Sequence, residues 1–189
     1  MDCPVTRTLA VILLLSGIGL LGQGAYIQLK AQLAQWLIND AWRQQLATGN
    51  WHKPWSWADT HPVAKLNLPG SNKPLLVLSG ANGRNLAFGP TLQQSTSAPG
   101  EPGNVVIFGH NDTHFANLDQ LERGQQLLLQ DAQGNELRYR VSGLYVVNQY
   151  DTIWAEQSDE SLLTLITCYP FSSASWGGEL RYVVRASKV

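Results

Sequence analysis

From Gly49 to Gly143 this chain is broken repeatedly by glycines and prolines, and that punctuation restricts it to short elements. Most of its seventeen glycines and nine prolines lie there. Proline removes a donor and clashes with the preceding helical turn, and glycine costs backbone entropy in a regular element. Between these breaks the apolar residues fall in strand-like patterns. Leu137, Tyr139 and Val141 alternate with Arg138, Arg140 and Ser142, one face buried and one wet. Asp131-Ala132-Gln133-Gly134-Asn135 links this arm, Glu136–Val147, to Gln126–Gln130 as a hairpin. Further strands are expected near Ala64–Leu68, Leu75–Leu78, Val105–Phe108, Leu162–Thr167 and Leu180–Ala186. About seven or eight short strands, with only short helices in the loops, predict a mainly β fold closed into a barrel.

The N-terminus is built differently. From Thr8 to Leu29 no side chain is charged, and Ser16, Gln23 and Gln28 are the polar interruptions. About 20 helical residues cross a hydrocarbon core of roughly 30 Å. A cleaved signal peptide has a similar apolar run, but Gly22-Gln23-Gly24-Ala25 is a poor cleavage site, so an uncleaved anchor over residues 8–29 is expected. Cys3 precedes the run and is therefore not a lipoprotein cysteine. Arg7 before the run places residues 1–7 in the cytoplasm and the remainder outside. Residues 30–59 read as an amphipathic stalk and a Trp-rich linker. Leu29, Leu33, Trp36, Leu37, Ala41 and Leu46 are expected on the stalk's apolar face, and Gly49 and Pro54 stop the helix. Trp36, Trp42, Trp51, Trp55 and Trp57 suit either a membrane-interface belt or packing of the stalk on the domain. Residues 60–189 form the folded domain.

Charged residues make up 14% of the chain and the net charge is −1, which leaves no clustered basic face for nucleic acid. The glycines around Ser79–Arg84 match neither G-x-G-x-x-G nor a P-loop. His110 and His114 have i, i+4 spacing, but Asn111-Asp112-Thr113 between them is turn composition and no third ligand is in view. No metal and no cofactor are expected.

The chemistry-bearing stretch is Leu163-Thr164-Leu165-Ile166-Thr167-Cys168, an apolar strand ending on a cysteine. With Cys3 across the membrane, Cys168 has no disulfide partner, and no C-x-x-C motif offers redox cycling or zinc binding. A thiol with an ordinary pKa near 8.5 is only a few per cent thiolate at neutral pH. A nearby cation raises that fraction, a histidine can protonate a departing amine, and a fixed guanidinium can stabilise an oxyanion. Histidine and arginine both occur at strand ends, in Phe108-Gly109-His110 and in Arg181-Tyr182-Val183-Val184-Arg185. The three ends are expected to meet at one end of the barrel.

Thr164-Leu165-Ile166-Thr167-Cys168 resembles the T-L-x-T-C signature of the sortases. His110 lies 58 residues upstream and Arg181 lies 13 downstream, each beside an apolar strand as in that family. Ala87–Pro90, Pro99–Asn104 and Gly109–Phe115 resemble stretches of the class GN sortases of Gram-negative bacteria. The resemblance covers about residues 60–189. It implies a sortase-like barrel and a cysteine transpeptidase acting on a protein with an LPxTG-like sorting motif, with an unidentified amine as acceptor. It further implies a single-pass inner-membrane anchor with the catalytic domain on the periplasmic side. Cys168 is then the nucleophile, His110 the acid and base, and Arg181 the group holding substrate and oxyanion. Thr167 is expected to touch substrate beside Cys168, and His114 to line the substrate pocket.

Four rivals stand against this. An L,D-transpeptidase carries histidine two residues before its cysteine, where this chain has Ile166. A papain-like protease has its histidine downstream. A hydrolase would use the same three residues with water as acceptor, and a non-catalytic binding module would bury Cys168 as an inert hydrophobe.

Overall fold

The computed structural model describes residues 4–71, 73–171 and 178–189, so Cys3 lies outside the described residues. The chain divides into two compact units, Met1–Trp36 and Leu37–Val189. A single helix, α1 (Pro4–Thr48), supplies the first unit and enters the second. Its Arg7–Thr48 stretch is long and apolar enough to cross a membrane, and side chains such as Leu13, Leu20 and Leu21 are exposed. Helix α1 ends as expected at Gly49, whose positive φ of 72° suits a glycine and whose N–H donates to the Gln45 carbonyl at 2.8 Å.

Of the face expected on the stalk, Ala41 is buried, but most of the rest is not. Leu29, Leu33 and Trp36 are more than half exposed, whereas Ile38, Ala41, Trp42 and Gln45 are buried. These four follow i, i+3, i+4, i+7 spacing, so one helical stripe packs against the second unit. Lys65 stands 5.9 Å from the centre of the Trp42 ring. The tryptophans divide: Trp42 is core, Trp55 packs edge-on against Phe88, and Trp51 and Trp57 are exposed.

Eight strands among the described residues close the barrel: β1 (Pro62–Asn67), β2 (Leu75–Ser79), β3 (Thr91–Leu92), β4 (Asn104–Phe108), β5 (Gln126–Gln130), β6 (Glu136–Asn148), β7 (Leu162–Tyr169) and β8 (Leu180–Lys188). Their order around the barrel is β1-β2-β3-β4-β7-β8-β6-β5. Closure removes the exposed edges that an open sheet would leave. The hairpin β5–β6 has Leu127 opposite Tyr139, as the alternation predicts. β3 is the strand the sequence pattern does not announce, since two residues carry no period.

The interior is filled by alternate residues, among them Val105, Ile107, Leu163, Leu165, Val184 and Ala186. Their neighbours point outward. Val106, Ile166 and Val183 form a second, smaller apolar cluster on the outer face of β4, β7 and β8, roofed by Phe108, Val147, Trp154 and Ala155. A bulge between Val141 and Gly143 shifts the register of β6 and turns Tyr145 and Val147 to this outer face. Gly143 is required there, because a Cβ would collide with the Tyr145 ring.

Candidate active site

Neighbouring strands bring Cys168 and Arg181 together. β7 and β8 run antiparallel with Cys168 directly opposite Arg181, two residue pairs beyond Ile166 and Val183. Both therefore project from the outer face. Directly opposed residues in an antiparallel pair have Cβ atoms about 4.5–5.5 Å apart. The third element arrives from the other side of β7. β4 runs parallel to β7 with Phe108 level with Ile166. One residue further, the Gly109 N–H donates to the Ile166 carbonyl at 3.1 Å, and the Thr167 hydroxyl donates to the Gly109 carbonyl at 2.7 Å. The pair of bonds holds His110 at the end of β7 where Cys168 stands. Gly109 also lets the fully buried Phe115 ring pack against the backbone, since a Cβ there would lie 2.6 Å from it.

Cys168 is a free thiol, half-buried, as are His110 and Arg181. The Arg181 guanidinium is held by three acceptors: the Gly178 carbonyl at 2.6 Å, the Leu180 carbonyl at 2.8 Å and Gln149 Oε1 at 2.9 Å. Gln149 is itself fixed by its N–H to the Glu179 carbonyl at 2.7 Å. Asn111 Nδ2 donates to the Pro170 carbonyl at 3.1 Å, tying the segment after His110 to the segment after Cys168. Nothing in the sequence pattern singles out Gln149, a polar residue in a polar loop.

The other expected site residues fall as follows. Thr167 is buried on the opposite face of β7 from Cys168, with its hydroxyl on Gly109. Its hydroxyl fixes the backbone before His110. His114 is half-buried close to His110. Burial, then the charge of His110, lower its pKa below the usual histidine value, partly offset by Asp112. Arg185 pairs with Thr164, well down β7 from Cys168, and its guanidinium lies 5.1 Å from the centre of the Trp154 ring. Among the described residues no cluster of three or more histidines, cysteines or carboxylates is placed to hold a metal ion.

A groove runs from this point along the outer face. It is a pocket of about 130 Å³ lined by Phe108, Val147, Trp154, Ile166, Arg181 and Val183 among others. Its roof is pinned by Asn104, which is fully buried. Asn104 Nδ2 donates to the carbonyls of Trp154 at 3.1 Å and Glu156 at 2.9 Å, and Oδ1 accepts from the Thr164 hydroxyl at 2.7 Å. The Trp154 ring packs tilted against Tyr145, with ring centres 4.5 Å apart.

A closed barrel with a free strand-end thiol set opposite an arginine, and a histidine strand end tied alongside, defines a cysteine acyl-transfer class. Residues 66–189, well over half the chain, match the family model described as Sortase domain, and the chain belongs to the sortase family of cysteine transpeptidases. A Bacillus subtilis (strain 168) protein, Sortase D, is 33% identical over 125 residues, covering 66% of this chain and 62% of the relative. Sortase A from Corynebacterium diphtheriae superposes with a TM-score of 0.62 at 26% identity, covering 70% of this chain and 63% of that one. Sortase C-1 from Actinomyces oris superposes at 0.60 with 30% identity, covering 68% and 74%. The chain thus spans less than two thirds of the length of the Bacillus and Corynebacterium relatives.

Proposed function

We propose that this protein is a membrane-anchored transpeptidase that cleaves an LPxTG-like sorting motif through a thioester on Cys168 and passes the acyl group to an amine. The Cys168 sulfur, as thiolate, adds to the carbonyl carbon of the scissile peptide bond. Arg181, held by Gln149 and two backbone carbonyls, steadies the substrate and the negative oxygen of the tetrahedral intermediate. The C–N bond breaks as His110 gives its proton to the leaving amine, leaving the acyl group on sulfur. An incoming amine attacks that thioester, His110 takes its proton, and the thiolate departs. The apolar groove beside the site offers a bed for the motif's apolar side chains.

The observation that carries this reading is the direct pairing of Cys168 with Arg181, with Gly109–His110 tied to the same end of β7. The exposed apolar length of α1 supports the anchor, and Arg7 before the apolar run favours a barrel on the periplasmic side of an inner membrane. The Ala87–Pro90 and Pro99–Asn104 stretches support the class GN assignment.

The test is mass spectrometry of the full chain in detergent mixed with LPxTG-type peptides and a primary amine. The expected result is an acyl adduct on Cys168 and an amide product whose mass identifies the broken bond. Cys168→Ala should form neither while melting normally. A native Cys168 that forms no adduct and resists small alkylators defeats the assignment.

A further inference from the structure

At the barrel end away from Cys168, a cleft of about 570 Å³ opens between the last turn of α1, the start of β1, the 98–101 loop and the β5–β6 hairpin. It lies at the opposite end because the 98–101 loop precedes β4, which runs parallel to β7, and Cys168 stands near the far end of β7. Ligand sites span about 300–1,000 Å³, so the cleft is large enough to be one.

Three features of its wall are specific. Gln45 is 4% exposed, yet its side-chain oxygen has no hydrogen-bond partner among the described residues. A buried carboxamide is ordinarily satisfied, and a turn of this side chain would present its oxygen to a ligand in the cleft that Gln45 lines. Trp51 is 60% exposed and offers a broad ring face, backed by the His61 ring at 5.1 Å. Carboxamides at Gln133 and Asn135 and the Glu101 carboxylate complete the rim.

Charge narrows the ligand class. The Asp131 carboxylate is already engaged: Oδ1 accepts from the N–H groups of Gln133 and Asn135 at 2.9 and 2.8 Å, and Oδ2 from Asn135 Nδ2 at 2.9 Å. Burial, with the charge of Lys53, lowers the His61 pKa and favours a neutral ring at neutral pH. Glu101 Oε2 accepts from the Ala98 N–H at 3.3 Å. The cleft thus offers a flat aromatic face, carboxamides that both donate and accept, and two carboxylates that already accept backbone hydrogen bonds.

The geometry points to a carbohydrate site, with a sugar ring laid on Trp51 and its hydroxyls bonded to Gln45 and Glu101. A pyranose has an apolar face of C–H groups and an edge of hydroxyls that donate and accept at once. That combination satisfies both the Trp51 face and an unpartnered carboxamide. A cation would use the carboxylate and the ring but leave the carboxamide donors idle.

Saturation-transfer NMR on the full chain, held in a detergent without a sugar headgroup, tests this with cellobiose, maltose and chitobiose as probes. At least one disaccharide should take up saturation on its ring protons. Trp51→Ala and Gln45→Leu should each weaken its apparent affinity at least tenfold. Trp51 is exposed, so Trp51→Ala should melt like the parent and remain informative if Gln45→Leu does not fold. Cys168→Ala should bind unchanged, which separates this site from the transpeptidase reading. No transfer to any of the three sugars, transfer indifferent to Trp51→Ala, or displacement by cadaverine in place of free sugar overturns the inference.

Discussion

Thr167 and Cys168 are consecutive in β7, yet they belong to different regions. Thr167 points into a barrel interior where Val105, Ile107, Leu163, Leu165 and Val184 are fully buried. Cys168 points out, toward a small cluster of Val106, Ile166 and Val183 roofed by a loop. The interior is held by apolar burial on every side, which is non-directional and large in sum. The outer groove depends on a few directed bonds, chiefly those of Asn104 and Gln149. Alternation along one strand therefore separates what makes the barrel stable from what the proposed chemistry uses, and substitutions should divide the same way.

The largest effects on rate are expected at the outer face. His110→Ala and Arg181→Ala should each lower kcat/KM by about 10²–10³, the usual loss for one oxyanion donor or acid-base group. Neither should shift Tm appreciably, because both residues are half-exposed. Turnover by Arg181→Ala close to the parent's would remove arginine from the mechanism. The interior should behave in reverse. Leu165→Ala empties fully buried space and should cost about 2–5 kcal/mol in urea titration. Activity per folded molecule should be retained. Asn104→Ala lies between the two, since it strands the Thr164 hydroxyl and two loop carbonyls. A cost of about 1–3 kcal/mol is expected, with a raised KM as the groove roof loosens. A loss as large as that of Leu165→Ala, with KM unchanged, would merge the two regions.

Much of this was legible in the sequence because it repeats or is rare. The hairpin Gln126–Asn148 has a period and a turn, so its strands and pairing can be read directly. The glycine-marked end of α1 is equally plain. A single outer-domain thiol, with a histidine and an arginine at strand ends, is an uncommon combination, and the register sets Cys168 and Arg181 opposite each other. The failures share a cause as well. In α1 the leucines outweigh Ile38, Ala41, Trp42 and Gln45 in hydrophobicity, yet the smaller stripe packs on the barrel. Hydropathy cannot tell the two stripes apart when a helix meets two environments along its length. β3 and Gln149 act through contacts with chain distant in sequence, which no local pattern records.

Gln149 offers the finest test of the comparison, because it touches the site only through Arg181. Among the described residues its Oε1 is one of three acceptors on the guanidinium, and the only one of them that a side-chain substitution can remove. Hydrogen bonds to charged groups are worth about 1.5–3 kcal/mol. Two backbone carbonyls remain in Gln149→Ala, so only part of that should appear, and kcat/KM should fall by roughly tenfold. The loss should lie in kcat more than KM if Arg181 acts mainly on the oxyanion. Gln149→Glu keeps an acceptor at the same place and should recover most of the rate, whereas a defect in loop folding would not be rescued by adding a charge. If Gln149→Ala and Gln149→Glu both turn over like the parent, the backbone carbonyls of Gly178 and Leu180 suffice to aim the arginine. The outer face would then be fixed by the strand ends alone.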